Sequence, residues 1–250
     1  MSTLKNKVAV VTGGNSGIGY AAAKELAEQG AIVIITGRNK ATTEKAAQEL
    51  GVTGIVSDQG NLQDITLLAE TVKNTFGKVD ALFLNAGVAS FAPVESATEE
   101  HFDSIFDTNV KGVFFTIQKF IPLLNEGASI VLNTSVNAVL GAPASGVYSA
   151  SKGALLSLNR VLAAELAPKK IRVNAVSPGP VATPLYGKLG ISKEAVEGFS
   201  SVLTQKILLN RFGQADEIAK TVRFLLSDEA SFINGTELTV DGGLTVNTLS

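Results

Sequence analysis

A tyrosine and a lysine stand four residues apart in the segment YSASK, at Tyr148 and Lys152. The surrounding residues follow a helical pattern, and side chains with this spacing share one face of a helix. An ammonium about 4 Å from a phenolate stabilises it by roughly 4 kcal/mol at an effective dielectric near 20, enough to lower a tyrosine pKa from about 10 to about 7. The pair could therefore serve as a general acid and base. Because such a pair also arises by chance, the rest of the chain must supply a site around it.

Short β-branched runs alternate with helical segments along the chain and predict seven strands. Their apolar character is typical of parallel strands that are buried on both faces. The sequence thus predicts an α/β fold, a Rossmann-type doubly wound seven-stranded parallel sheet with helices on both faces. The runs lie at residues 8–11, 31–36, 54–58, 81–85, 129–135, 171–177 and 237–240.

The domain organisation follows from the absence of any linker, composition shift or internal repeat in the sequence. We therefore predict one domain over residues 1–250. One helical segment, at about 182–210, has no strand between it and the helix expected at 214–227. An insertion after the carboxyl end of a strand is a natural position for a lid, and we expect this segment to cover the substrate.

A glycine-rich loop, TGGNSGIG, directly follows the first predicted strand and leads into a helix. Glycine permits positive φ and lets the backbone approach a ligand closely. The free N–H groups and the positive dipole at the helix start favour a pyrophosphate. The order strand, glycine turn, helix therefore predicts a nucleotide site, with Gly13, Gly17 and Gly19 at its centre.

The second strand ends in IITGRN, where many NAD-binding proteins carry a carboxylate for the adenosine ribose. This window holds Arg38 instead, and the next acidic residue is Glu44. A guanidinium can bind a 2′-phosphate through two hydrogen bonds, whereas a carboxylate would repel it. The sequence therefore favours NADP(H) over NAD(H).

The spacing of the loop resembles that of the short-chain dehydrogenase/reductase family, whose pattern is T-G-x-x-x-G-x-G. The resemblance extends over almost the whole chain, through NAG at 85–87, DTNVKG around Asn109, LNTS ending at Ser135, YSASK, SPGPVAT at 177–183 and VDGG near the end. Individually these motifs are weak, but together and in this order they are specific. The resemblance implies a homotetramer and a catalytic set formed by Asn109, Ser135, Tyr148 and Lys152.

The family resemblance also implies roles for individual residues. Tyr148 would transfer the proton, Ser135 would donate a hydrogen bond to the substrate carbonyl, and Asn109 would hold a water that connects Lys152 to solvent. The implied substrate contacts are Ser135, Asn137, Tyr148, Leu185 and Tyr186. The implied cofactor contacts are Gly13, Asn15, Ser16, Gly17, Ile18, Gly19, Arg38, Asp58, Gln59, Asn85, Ala86, Gly87, Tyr148, Lys152, Pro178, Gly179, Val181 and Thr183.

Composition excludes several other kinds of site. The chain has no Cys and a single His, His101, so thiolate metal sites, disulfides and a Cys nucleophile are ruled out, and we expect no metal. His101 lies in the predicted first turn of a helix capped by Thr98. A net charge of −2 gives no reason to expect nucleic acid. The N-terminal apolar run is too short for a signal peptide or membrane span, which predicts a cytoplasmic protein that does not bind membranes.

The leading functional hypothesis is an NADP(H)-dependent carbonyl reductase or alcohol dehydrogenase that acts on ketones, aldehydes or keto esters. A 3-oxoacyl-carrier-protein reductase is the nearest alternative, and NAGVASFAPVE lacks the TRD stretch that is frequent after NAG in that group. A regulator that binds the nicotinamide cofactor without catalysis is the alternative from another class. A sugar-nucleotide epimerase would need a substrate domain for which 250 residues leave little room.

Overall fold

The computed structural model describes residues 4–183 and 193–247, with the backbone alone for 193–197 and 199. Seven parallel strands form one sheet in the order β3-β2-β1-β4-β5-β6-β9. The prediction of a doubly wound α/β fold is confirmed. The strands of this sheet are Val8–Val11 (β1), Ile32–Gly37 (β2), Thr53–Val56 (β3), Val79–Leu84 (β4), Leu124–Asn133 (β5), Arg172–Pro178 (β6) and Glu237–Val240 (β9).

Helices cover both faces of the sheet because its strands are apolar on both sides. One core cluster joins α3, α5 and α6 to one face, and a second joins α1, α2 and α8 to the other. The helices are Gly17–Glu28 (α1), Lys40–Leu50 (α2), Leu62–Phe76 (α3), Glu99–Phe106 (α4), Gly112–Phe120 (α5), Gly146–Leu166 (α6), Lys193–Lys206 (α7) and Ala215–Leu226 (α8).

Two features were not predicted from the sequence. A second, parallel pair of two-residue strands joins Val181–Ala182 (β7) to Gly213–Gln214 (β8). One π-helical turn, Asp107–Lys111, separates α4 from α5. The expected helix cap is confirmed, since Thr98 accepts a hydrogen bond from the main-chain N–H of His101 at 3.2 Å.

The topology decides where a site can form. All seven strands of the sheet are parallel, so the loops that follow them meet at one edge. The strand order changes direction between β1 and β4, which opens a crevice at this edge between the loops after those strands. Within the described ranges, no helix is long and apolar enough to cross a membrane.

Candidate active site

The glycine loop after β1 has the backbone that a phosphate-binding turn requires. Gly13 and Gly17 have positive φ values of 63° and 56°. Ser16 is the N-cap of α1, and a Cβ at Gly19 would lie 2.3 Å from the main-chain oxygen of Gly13. A larger residue at position 19 would therefore displace the loop. The N–H groups at the start of α1, including that of Ile18, are placed to receive an anion.

The adenosine end of the predicted cofactor site lies between the end of β2 and the start of α2. Asn15 donates a hydrogen bond to Thr42 at 2.9 Å, which ties the glycine loop to the first turn of α2. Arg38 is exposed, and its guanidinium makes no hydrogen bond or ion pair within residues 4–183 and 193–247. Asn39 caps α2 by accepting from Thr42 N at 3.0 Å. The helix dipole and a free guanidinium therefore both favour an anion here.

The segment after β3 holds the predicted adenine contacts. One carboxylate oxygen of Asp58 accepts from Gly60 N at 2.9 Å, and the side chain is only partly buried. Gln59 differs from the expectation for a cofactor contact, because its side chain is buried and donates to Thr116 at 2.8 Å. The main-chain oxygen of Gln59 packs against Gly112, where a Cβ would lie 1.9 Å from it.

The NAG segment after β4 joins the glycine loop to the catalytic residues. Asn85 donates to the main-chain oxygens of Thr12 and Gly13, at 3.0 Å and 3.1 Å. The N–H groups of Asn85 and Ala86 both donate to the Thr12 hydroxyl at 3.0 Å. A Cβ at Gly87 would lie 3.2 Å from Asn109 Oδ1 and 3.6 Å from Lys152 Nζ. The predicted cofactor contacts at 85–87 therefore lie directly against two of the predicted catalytic residues.

Lys152 projects from α6 into the end of the sheet and is only 5% exposed. Its Nζ donates a 2.8 Å hydrogen bond to the main-chain oxygen of Asn133 and lies 5.8 Å from the centroid of the Tyr148 ring. Burial lowers the pKa of Lys152 to about 8, because a desolvated ammonium is disfavoured. The spacing on one helix face has thus brought Tyr148 and Lys152 together as predicted.

Ser135 lies near the phenol of Tyr148. The hydroxyl of Ser135 accepts a hydrogen bond from the N–H of Asn137 at 3.2 Å. Burial raises the pKa of Tyr148, and the hydroxyl of Ser135 opposes this shift. The sequence argument predicted that Lys152 would lower the pKa of Tyr148, whereas in the structure this pKa is raised. Burial is the largest cause of the raised pKa, and the ammonium of Lys152 donates its hydrogen bond to the backbone of Asn133 rather than to the phenol.

Asn109 occupies the π-helical turn and is fully buried. Its Oδ1 accepts from Val88 N at 2.8 Å, and its Nδ2 donates to Val88 O at 2.9 Å and to Ser151 Oγ at 3.1 Å. Both amide protons are therefore used within the protein. Of its side-chain atoms, only Oδ1, which retains one lone pair, could hold the water that was predicted for this residue.

The loop after β6 completes the edge of the site. Gly179 donates to Val240 O at 2.9 Å, and a Cβ at Gly17 would lie 3.5 Å from Thr183. Pro178 and Val181 are buried, and the Val181 side chain belongs to the core, so a ligand could reach only its backbone. Asn137 lies beside Ser135. The two remaining predicted substrate contacts, Leu185 and Tyr186, and part of the predicted lid at 182–210 fall outside the described residues.

Sequence reasoning did not single out three polar residues that hold the site together. They are Thr12, which accepts two main-chain N–H groups, Asn133, which donates to Asn85 Oδ1 at 2.9 Å, and Ser151, which donates to Tyr148 O at 2.7 Å. Thr12 and Asn133 are polar residues at the ends of apolar strands, and this pattern could have predicted that they belong to the site. Ser151 gave no signal beyond its position in YSASK.

The comparisons with known proteins agree with this geometry. A family model described as enoyl-(acyl carrier protein) reductase matches residues 13–245. An uncharacterised oxidoreductase of Methylorubrum extorquens is 41% identical over 250 residues and covers 98% of this chain and 100% of its own. An NADP-dependent (R)-specific alcohol dehydrogenase of Lentilactobacillus kefiri is 38% identical, with 97% of this chain and 98% of that protein covered. The chain belongs to the short-chain dehydrogenase/reductase family.

A solved member of the short-chain dehydrogenase/reductase family supports the same assignment at the level of structure. The crystal structure from Brucella melitensis that is described as glucose/ribitol dehydrogenase matches with a TM-score of 0.91 and 32% identity. The match covers 97% of this chain and 98% of that one. The protein is thus an oxidoreductase of this family with the complete sheet described above.

The residues present fit the nicotinamide cofactors that the family uses. The loop turns with positive φ at Gly13 and Gly17, and α1 begins directly behind it, so the main-chain N–H groups at the start of α1 can receive a pyrophosphate. At the other end of the crevice, the backbone at Gly87 lies close enough to Lys152 that a side chain there would narrow the space in front of the ammonium. We conclude that a dinucleotide fits along this edge.

Proposed function

We propose that the protein is an NADP(H)-dependent reductase of uncharged ketones, aldehydes or keto esters, and that it also oxidises the corresponding alcohols. One observation carries the proposal. Tyr148 lies near Ser135, whose hydroxyl opposes the rise in its pKa, and the buried ammonium of Lys152 lies 5.8 Å from the centroid of its ring, at the same sheet edge as the glycine loop. A protein that only senses a cofactor has no need for such a proton-transfer pair.

Each side chain has a separate task in the proposed reaction. The nicotinamide cofactor, when bound, supplies or accepts the hydride. The hydroxyls of Ser135 and Tyr148 donate hydrogen bonds to the carbonyl oxygen and stabilise the negative charge that develops on it. Tyr148 then gives its proton to that oxygen, and the ammonium of Lys152 stabilises the resulting phenolate. The buried site strengthens this interaction, since charges are less screened away from water.

Asn109, in the π-helical turn, supports the same site through its side-chain hydrogen bonds. Its amide holds Val88 by both main-chain groups and also holds Ser151, one turn of α6 away from Tyr148. We propose that this arrangement fixes the NAG segment against α6, so that cofactor and acid keep a constant separation. A water on the remaining lone pair of Oδ1 would connect Lys152 to solvent.

The preference for NADP(H) rests on Arg38. Its free guanidinium lies two residues before the first residue of α2, and Lys40 occupies that first position. Cations near a helix N-terminus are unfavourable unless an anion offsets them, and Lys40 is paired with Glu44 at 3.8 Å, whereas Arg38 has no such partner among the described residues. A 2′-phosphate is such an anion, and the relative from Lentilactobacillus kefiri is NADP-dependent.

The decisive experiment follows NADPH absorbance at 340 nm with a small panel of ketones, aldehydes and keto esters, and measures NADPH binding in parallel. Turnover of any member of the panel supports the proposal. If NADPH binds but no carbonyl is reduced, the non-catalytic regulator becomes the better description. If neither NADPH nor NADH binds, the proposed function is wrong altogether.

A carrier-protein-bound 3-oxoacyl group is the second candidate substrate. The matching family model is described as enoyl-(acyl carrier protein) reductase, and this keeps acyl thioesters open. An acetoacetyl thioester in the same assay distinguishes the two. A kcat/KM for the thioester that exceeds the best ketone by more than about tenfold, or about 1.4 kcal/mol of transition-state binding, would favour the carrier-protein substrate.

A further inference from the structure

Phe91 lies in the loop between β4 and α4, directly against the proposed general acid. Its ring centroid is 5.8 Å from that of Tyr148, and the two rings meet at 72°, edge to face. Pairs of aromatic rings prefer this arrangement and this separation. Phe91 is nevertheless 45% exposed, so the contact with Tyr148 leaves part of the residue uncovered.

The loop that carries Phe91 is fixed at both ends. Asn109 holds Val88 through its main-chain N–H and its main-chain oxygen, at 2.8 Å and 2.9 Å. Ala92 donates to Ala144 O at 2.8 Å, just before α6 begins. Phe91 therefore stands between two anchors that are only four residues apart. These two anchors restrain the backbone of the loop and so hold the ring of Phe91 against Tyr148.

Any substrate of the proposed reaction must bring a group close to this ring. The carbonyl oxygen binds between the hydroxyls of Ser135 and Tyr148, so the carbonyl carbon and its substituents lie within a few ångströms of the Tyr148 ring. The uncovered surface of Phe91 borders that space. A planar aromatic substituent would meet Phe91 as one more ring, whereas a saturated ring offers hydrophobic contact without a matching quadrupole.

We propose that Phe91 determines substrate specificity by packing its uncovered surface against a flat, aromatic substituent on the carbonyl carbon. The protein would thus favour aryl ketones over saturated-ring ketones of the same size. This inference rests on the proposed carbonyl reduction and adds a substrate class to it. Phe91 takes no part in proton transfer, so its loss should change the choice of substrate more than the chemistry.

The test compares acetophenone with cyclohexyl methyl ketone, which have nearly the same size and differ in aromaticity. The measured quantity is the ratio of their kcat/KM values in the wild type and in Phe91→Leu. We expect the substitution to lower the ratio about 2- to 12-fold, which corresponds to about 0.5–1.5 kcal/mol for an aromatic pair. Intrinsic differences in reactivity between the ketones cancel because each ratio is compared with that of the wild type.

Two further variants keep the result interpretable. Phe91→Tyr retains the ring and should keep the wild-type ratio. Phe102→Leu is the matched control, because Phe102 is also 45% exposed and also contacts a ring, that of Phe106 at 4.3 Å, but lies on α4. Melting temperature and elution volume report folding and assembly. If Phe91→Leu does not fold, Phe91→Met replaces it as a flexible apolar substitute.

The outcomes separate this inference from the proposed function. If the wild type reduces neither ketone nor any other carbonyl, both the proposed function and this inference are wrong. If the wild type is active but Phe91→Leu leaves the ratio unchanged, only the inference is overturned, and the ring serves packing alone. An equal change in Phe102→Leu would also overturn it, because the effect would then not depend on contact with Tyr148.

Discussion

The side-chain nitrogen of Lys152 donates a 2.8 Å hydrogen bond to the main-chain oxygen of Asn133, the last residue of β5. The side chain of Asn133 in turn donates to Asn85, and Asn85 donates to the two carbonyls of the glycine loop. The orientation of both amides follows from this chain: the loop carbonyls can only accept, so the NH₂ group of Asn85 faces them, and its oxygen is left to accept from the NH₂ group of Asn133. Asn133 therefore links the proposed catalytic lysine to the proposed pyrophosphate loop.

Burial of Lys152 makes the lysine costly for the folded protein. Its pKa falls from 10.5 to about 8, which corresponds to a penalty of about 3 kcal/mol at neutral pH. The penalty is fully present below pH 8, because both states are then protonated and only the folded state buries the charge. It disappears as the pH rises towards 10.5, where the unfolded chain also releases its proton.

We therefore predict that Lys152→Met alters the dependence of stability on pH. The free energy of unfolding of the wild type should gain about 2 kcal/mol from this residue between pH 7 and pH 10, and the variant should lack that gain. Urea unfolding of both proteins at the two pH values measures the difference. Identical pH slopes would show that the ammonium is not desolvated as described. The variant should also lose reductase activity, since the proposed reaction needs the cation.

Replacement of Tyr148 tests the general acid. Tyr148→Phe keeps the ring and its edge-to-face contact with Phe91, and removes only the hydroxyl. We expect NADPH binding and melting temperature close to those of the wild type, with reduction slowed by at least about 10². Fluorescence titration and the 340 nm assay give the two readouts. Turnover near the wild-type rate would exclude Tyr148 as the proton donor.

Much of the fold could be predicted because its signals are local. Parallel strands buried on both faces leave continuous apolar runs, and all seven were recognised to within a few residues of their ends, apart from β5, which begins five residues earlier than expected. The glycine loop was equally readable, since positive φ at Gly13 and Gly17 restricts residue choice. The pair Tyr148 and Lys152 followed from helical spacing.

The parts that escaped prediction depend on tertiary contacts. The inward turn of the Gln59 side chain is determined by the position of Thr116, 57 residues away. The raised pKa of Tyr148 depends on how deeply α6 packs, and periodicity does not report depth. The π-helical turn contains Asn109, whose side chain satisfies both main-chain groups of Val88, 21 residues away. No local pattern in the sequence specifies these hydrogen bonds between Asn109 and Val88.

The hydrogen bonds of Asn109 lead to a prediction about stability. Asn109→Ala removes three hydrogen bonds and leaves both main-chain groups of Val88 without this partner. We expect the free energy of unfolding to fall by about 2–4 kcal/mol, since each buried bond contributes about 0.5–1.5 kcal/mol and unsatisfied groups cost more. Asn125→Ala, which removes one side-chain bond to Asp80, is the milder control. Equal losses in both variants would show that the three hydrogen bonds of Asn109 contribute no more than the single bond of Asn125.

The final prediction concerns the choice between the two cofactors. Arg38→Asp replaces the free guanidinium after β2 with a carboxylate, which repels a 2′-phosphate and can accept hydrogen bonds from ribose hydroxyls. We expect the wild type to prefer NADPH by roughly 10- to 150-fold in affinity, the range for charge-assisted bonds of about 1.5–3 kcal/mol, and the variant to prefer NADH.

The control is Arg160→Asp, at an exposed arginine on α6, which makes the same change in charge away from the glycine loop. Dissociation constants for both cofactors, measured at fixed ionic strength, decide the matter. If the Arg160 variant shifts the ratio as far as the Arg38 variant, the preference reflects overall charge; if neither shifts it, Arg38 does not contact the cofactor.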